Sequence, residues 1–213
     1  METTPTLRAL IVNGSPHENG NTATALAEVA RTLEAEGVGT ETFWIGSKPV
    51  RGCVACGACR GGTPGRCAFA DDACNALIGR LREADAVIVG SPVYYGQPNG
   101  ALLALLQRAF FAAPDCVAGK VAASVAVCRR GGSTAAFQCL NMPFEMLGCV
   151  LVGSQYWNVA FGRAPGEAAR DEEGMQTMRT LARNAAWLLK NLRRDGAAPR
   201  PAPEPWHPMN FIR

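Results

Sequence analysis

The sequence predicts an α/β protein: an open, doubly wound sheet of five parallel strands with helices on both faces. Three observations lead there. Short runs rich in Val, Ile and Leu, each closed by Gly or a polar turn, alternate with longer segments whose apolar residues recur at helical spacing. The short runs are apolar throughout rather than alternating, the pattern of strands covered on both faces. No internal repeat or second core-forming pattern interrupts this order, which is the order of a parallel sheet with ligands outside its carboxyl ends.

The elements follow in turn. Leu7 to Asn13 is the first strand; after GSPHENGN, the residues Leu26, Val29, Ala30 and Leu33 form a helical stripe ending at Gly37, with Asn21 or Thr22 placed to cap it. Thr40 to Ile45 is the second strand. A cysteine-rich loop precedes a helix over about Asp72–Glu83, whose Asp71 and Asp72 suit its positive end. Ala86 to Gly90 is the third strand, Asn99 caps a helix carrying Leu102, Leu103, Leu105 and Leu106, and Val121 to Val127 is the fourth strand. Thr134 to Leu147 reads as a helix disturbed by Pro143, and Val150 to Gly153 as the fifth strand. Asp171 to Leu192 closes the fold with a long amphipathic helix. Residues 1–194 are expected to form one domain, with 51–70 an inserted loop. The Pro-rich tail 195–213 reads as disordered or as an arm on a partner subunit, with Trp206, Met209, Phe211 and Ile212 to bury.

Composition narrows the function. Of 213 residues, 48% are apolar and 18% charged, so the chain can bury a full core without disulfides or a structural metal. A net charge of +3, with the basic residues dispersed, argues against nucleic acid as a partner. The longest apolar stretch, Ala101 to Ala113, is broken by Gln107 and Arg108 and reads as a buried helix, not a membrane span. METTPTLRALIVNG has no signal-like apolar segment behind a basic start, so a cytoplasmic protein is expected.

The turn after the first strand offers Ser15, His17, Asn19, Asn21 and Thr22 around free amides at the positive end of a helix, an arrangement suited to phosphate. No Gly-Lys-Ser/Thr follows and the glycine spacing is not GxGxxG, so a monophosphate fits better than a triphosphate or pyrophosphate. SPVYYGQPNG and CRRGGST follow the third and fourth strands. Aromatic faces and a Gly-rich donor loop beside a phosphate turn suit a planar heterocycle with one phosphate, such as FMN.

Cys53, Cys56 and Cys59 form C-x2-C-x2-C, and Cys67 follows after seven residues. This spacing favours a [4Fe-4S] cluster over zinc, which usually draws on two separated Cys-x-x-Cys knuckles; free thiols in a loop remain the third reading. Cys74, Cys116, Cys128, Cys139 and Cys149 read as interior thiols.

GSPHENGNTATAL, GCVACGAC with a later Cys and DD, GSPVYYGQPNGAL and RRGGSTAAF, in that order between about Leu7 and Leu192, resemble the flavodoxin-like NAD(P)H-dependent FMN reductases, and within them the iron-sulfur flavoproteins. The resemblance implies a noncovalent FMN whose phosphate is held by Ser15, His17, Asn19, Asn21 and Thr22. It implies that Pro92, Val93, Tyr94, Tyr95 and Gly96 border the isoalloxazine, and that Arg130, Gly131 and Gly132 meet its polar edge. It implies a [4Fe-4S] cluster on Cys53, Cys56, Cys59 and Cys67, although relatives with similar cysteines use the loop as a cap over the flavin. A homodimer or homotetramer is implied too, with FMN near a subunit interface.

The expected function is transfer of electrons from NADH or NADPH through FMN to a quinone, nitro or azo acceptor, or through the cluster to a protein carrier. The alternatives are an electron carrier or redox sensor without small-molecule turnover, and a zinc-stabilised binding module. No side chain is nominated as a general acid or base. Tyr156 or Trp157, after the fifth strand, is expected to help line the substrate side of the flavin.

Overall fold

The first strand of the computed structural model, β1 (Arg8–Asn13), lies inside a parallel sheet, between β2 (Gly39–Trp44) and β3 (Ala86–Tyr94). Next to β3 comes β5 (Val121–Cys128), and two short strands, β6 (Val150–Leu151) and β7 (Val159–Phe161), share its far side. The resulting order β2-β1-β3-β5-β6 is that of a doubly wound sheet, with the winding reversing between β1 and β3. β4 (Gln97–Pro98) folds back on β3 as an antiparallel hairpin. The structure describes residues 7–194, 196–202, 204–205 and 207, so the tail residues Trp206, Met209, Phe211 and Ile212 lie outside the described residues.

Helices cover both faces because successive strand residues point to opposite sides and both sides are apolar. Ala9, Ile11, Ala86 and Ile88 pack under α1 (Asn21–Ala35) and α6 (Glu172–Leu192). Leu10, Val12, Val87 and Val89 pack under α3 (Cys74–Glu83), α4 (Gly100–Ala112) and the inner face of α5 (Ser133–Met146). A short helix, α2 (Ala58–Gly61), lies in the cysteine loop.

Several elements differ from the sequence reading. The fifth strand is two pieces: β6 pairs with Val121 and Ala122, β7 with Ala126 to Cys128, and residues 152–158 loop out between them. Buried Asn158 ties that loop, its Nδ2 donating to Val152 O at 3.3 Å and its main-chain carbonyl accepting from Ala126 N at 3.0 Å. β3 runs to Tyr94 rather than Gly90, and Pro92 is tolerated because it lies beyond Gly90, the last residue that β1 pairs. α1 is capped by Gly20 without a side-chain cap, so neither Asn21 nor Thr22 plays that part. Asp72 precedes α3 and accepts the Cys74 N–H at 3.0 Å. Pro143 sits inside α5 without breaking it, three residues before the helix ends. Among the described residues no helix is long and apolar enough to cross a membrane.

Candidate functional site

The turn after β1 is tied together by its own hydrogen bonds. Asn13, buried at the end of β1, accepts the Ser15 N–H on Oδ1 and donates Nδ2 to Glu18 O, both at 3.1 Å. Ser15 Oγ accepts the His17 N–H at 3.1 Å, a local turn that short hydroxyl side chains favour. Two neighbours fasten the turn from outside: Trp44 Nε1 donates to Ser15 O at 2.8 Å, and Asn99 Nδ2 donates to Gly14 O at 2.7 Å. The first-turn amides of α1 have no intrahelical acceptor, and no acidic residue stands in that turn to oppose an anion.

Beside the turn lies a cleft of about 390 Å³, bounded by Ser15, His17, Asn19, Asn21 and Thr22, by Pro92, Val93 and Tyr94 of β3, by the end of β5 and by the segment after β7. Eight of the residues expected at the flavin are therefore gathered around one cavity at the point where the winding reverses. Burial pushes the Tyr94 phenol up from its ordinary value, so it keeps its O–H. Cys128 also lines the cleft, and burial pushes its thiol up, which leaves it neutral rather than an activated nucleophile.

The remaining expected residues fall elsewhere. Tyr95 and Gly96 form the two-residue turn between β3 and β4, with φ of 51° and 78°. This is the backbone of a type I′ hairpin; it sends Tyr95 fully into solvent and accounts for the glycine after it. Arg130 and Gly131 are exposed and outside the cleft lining, whereas Arg129 is part of it. Gly132 has its own steric reason: a Cβ there would stand 2.8 Å from Gly96 Cα, so it lets α5 approach the hairpin. Tyr156 and Trp157 are not in the cleft; they stack edge-on with ring centroids 4.9 Å apart on the exposed 152–158 loop.

Asn21 does more than border the cavity. Its Nδ2 donates to Ala164 O and its Oδ1 accepts from Ala168 N, both at 2.9 Å, clamping the segment after β7 onto α1. That segment supplies Gly162, Arg163 and Pro165 to the cleft wall, which sequence reasoning missed because they lie far from the other motifs in the chain. Gly162 is the sign of the clamp: a Cβ on it would meet Ala168 N at 2.7 Å and Asn21 Cγ at 2.8 Å.

The cysteine loop forms a second centre. Cys53, Cys56, Cys59 and Cys67 all line one small pocket whose other walls include Val54, Phe69, Phe111 and Arg108. Cys53 and Cys56 are exposed, Cys59 and Cys67 half-buried, and all are free thiols. Among the described residues no three His, Cys, Asp or Glu side chains converge on a single-ion position. The loop is pinned at several points: Asn75 accepts the Cys67 N–H at 2.9 Å and donates to Cys67 O at 3.0 Å, and the Arg51 guanidinium lies 4.4 Å from the Phe69 ring centre. Four free thiols around one small pocket of about 20 Å³, with an arginine donor against Cys67, match an iron-sulfur cluster in the chemistry of the ligand set, not in the space the pocket now holds. Cys74, next to them in the core, is pushed up to about 12 by burial and so stays a neutral thiol.

A parallel sheet wound in this order, with a turn rich in hydrogen-bond donors after its first strand and a cleft at the reversal point, is the architecture of a flavodoxin-like protein. Residues 7–164 match the NADPH-dependent FMN reductases, and the chain belongs to that family. It is similar to an iron-sulfur flavoprotein of Methanocaldococcus jannaschii, 29% identical over 198 residues that cover 88% of this chain and 100% of the relative. An iron-sulfur flavoprotein of Archaeoglobus fulgidus is 30% identical over 168 residues, covering 78% of this chain and 74% of its own. A solved flavodoxin from the domain Archaea shares the fold with a TM-score of 0.59 at 15% identity, over 86% of this chain and 99% of that one. Family and fold together make this an FMN-dependent oxidoreductase in the general sense.

Proposed function

We propose that the chain takes electrons from NADH or NADPH into FMN held in the 390 Å³ cleft. It passes them either to a small quinone, nitro or azo acceptor or, through a [4Fe-4S] cluster on Cys53, Cys56, Cys59 and Cys67, to a protein carrier. The observation that carries this reading is the gathering of all four cysteines around one pocket in a chain that also sets a donor-rich turn beside a cleft at the reversal point of its sheet. The names of the two archaeal relatives support the cluster.

Bound FMN supplies hydride acceptance and one- or two-electron delivery. The protein's part is placement. Ser15 and the first-turn amides of α1 would hold the phosphate, and Asn13, Trp44 and Asn99 fix the backbone at Gly14 and Ser15. Pro92, Val93 and Tyr94 form a wall for the ring, and the Asn21 clamp holds the opposite wall at Gly162 to Pro165. Neutral Cys128 neither competes as a nucleophile nor adds charge beside the ring. A homodimer or homotetramer belongs to the same reading on the family resemblance alone.

The test is anaerobic purification followed by a visible spectrum, iron and sulfide analysis, and NAD(P)H oxidation with a quinone acceptor. FMN, iron and sulfide together with rapid turnover are expected. A yellow protein without iron would overturn the cluster, and flavin reduced only by a protein donor would point to a carrier or sensor. A chain that cannot be loaded with FMN would overturn the whole reading.

A further inference from the structure

Arg108 is the largest fully buried side chain in the described protein, and the flavin cleft makes no use of it. Burying a guanidinium costs several kcal/mol unless its donors and charge are answered. The groups that answer it come from the cysteine loop and its flanks. Nε donates to Cys67 Sγ at 3.3 Å, Nη1 pairs with the Asp72 carboxylate and reaches Arg51 O at 3.3 Å, and Nη2 donates to Phe69 O at 3.1 Å. Asp72 is itself nearly buried, with 8% of its side chain exposed. A guanidinium keeps its charge at any ordinary pH, so this buried cation is a fixed one.

This placement exceeds what loop anchoring requires. Backbone carbonyls alone could hold the loop, whereas here a fixed positive charge donates to the sulfur of one candidate ligand, with a carboxylate behind it. Hydrogen bonds to ligand sulfurs and local net charge are two of the factors that set iron-sulfur potentials. Resting on the cluster reading above, we propose that Arg108 and Asp72 are an opposed pair that tunes the potential of a cluster on the four cysteines, with Arg108 a positioning residue acting through Cys67 Sγ. Reduction adds one electron and no proton, leaving the ligand set one charge more negative. Arg108 favours that state through its charge and its N–H donor; Asp72 opposes it.

The two residues therefore push in opposite directions. Asp72→Asn leaves Arg108 unopposed and should raise the midpoint potential. The double variant Asp72→Asn/Arg108→Gln removes the cation without stranding a buried anion and should lower it. Each shift is expected to change the reduced-to-oxidised ratio at a set potential by about tenfold, or about 59 mV for one electron. The measurement is an anaerobic potentiometric titration of the holoprotein followed by EPR, with iron content and FMN binding checked for each variant.

Loaded variants whose potentials stay at the wild-type value, or move in the same direction, would overturn the tuning role while leaving the cluster reading intact. Wild-type protein that takes up no iron would overturn both, and iron analysis tells the two failures apart. Should a variant not fold, wild-type protein carrying 15N-arginine still tests the contact on which the tuning depends. Pulsed EPR of its reduced form should show coupling to an arginine nitrogen; none would overturn the proposal.

Discussion

Substituting Gly162 by Ala should loosen FMN binding without touching the ligand. An added Cβ would lie 2.7 Å from Ala168 N and 2.8 Å from Asn21 Cγ, distances that real Cβ atoms do not hold, so the segment after β7 must move off α1. That movement breaks both bonds of the Asn21 clamp, each 2.9 Å long. At about 0.5–1.5 kcal/mol per bond, the loss is about 1–3 kcal/mol. If FMN binds only when this wall is in place, the loss becomes a rise in Kd of about 5- to 150-fold. Asn21→Ala should do the same, and the double variant should be little worse than either single one, because both remove one clamp. Titration of apoprotein with FMN, followed by flavin fluorescence quenching, reads all three. An unchanged Kd in Gly162→Ala, or penalties that simply add, would refute the clamp and leave Asn21 as an independent phosphate ligand.

Tyr95→Asn should stabilise the protein by about 1 kcal/mol, because Asn adopts the left-handed backbone more readily than Tyr and Asn-Gly is a preferred type I′ turn. Its FMN Kd should change by no more than about twofold, since Tyr95 stands outside the cleft, and a much larger loss in the titration would place the ring against the flavin. Glu28→Gln should destabilise the packing of α1 on α6 at neutral pH by about 1 kcal/mol, in line with partly exposed ion pairs. Burial works against the Glu28 carboxylate, but Arg31 and Arg179 outweigh it and hold its pKa below the ordinary 4.5. A depressed carboxylate contributes stability that is present above the unfolded-state value and lost as pH falls through the folded one. Urea unfolding at neutral pH and in acid should therefore show the difference between wild type and variant vanish at the lower pH.

Much of the site could be read along the chain because its chemistry is local. The run from Ser15 to Thr22 is a strand-to-helix turn whose donors are neighbours in sequence, and Pro92, Val93 and Tyr94 follow their strand directly. Where an expected residue lies outside the cleft, the cause is long-range geometry. A backbone with positive φ at two successive residues turns Tyr95 outward, which residue type does not reveal. The far wall at Gly162 to Pro165 follows β7, the second piece of a strand position divided between β6 and β7, and the 152–158 excursion that divides it also carries Tyr156 and Trp157 away from the cleft. Asn21 has the composition of a ligand and the contacts of a clamp.

The sequence by itself determined the layers and the order of elements, because apolar periodicity and turn chemistry act over a few residues and require no distant partner. It also determined that four cysteines stand close enough in the chain to share one centre. Only the tertiary structure decided that Arg108 turns inward to meet Cys67 and Asp72, since whether a long cationic side chain is solvated or buried depends on what lies opposite it in space. Residues 36 and 41 positions away along the chain supply that answer here, and no pattern local to α4 encodes it.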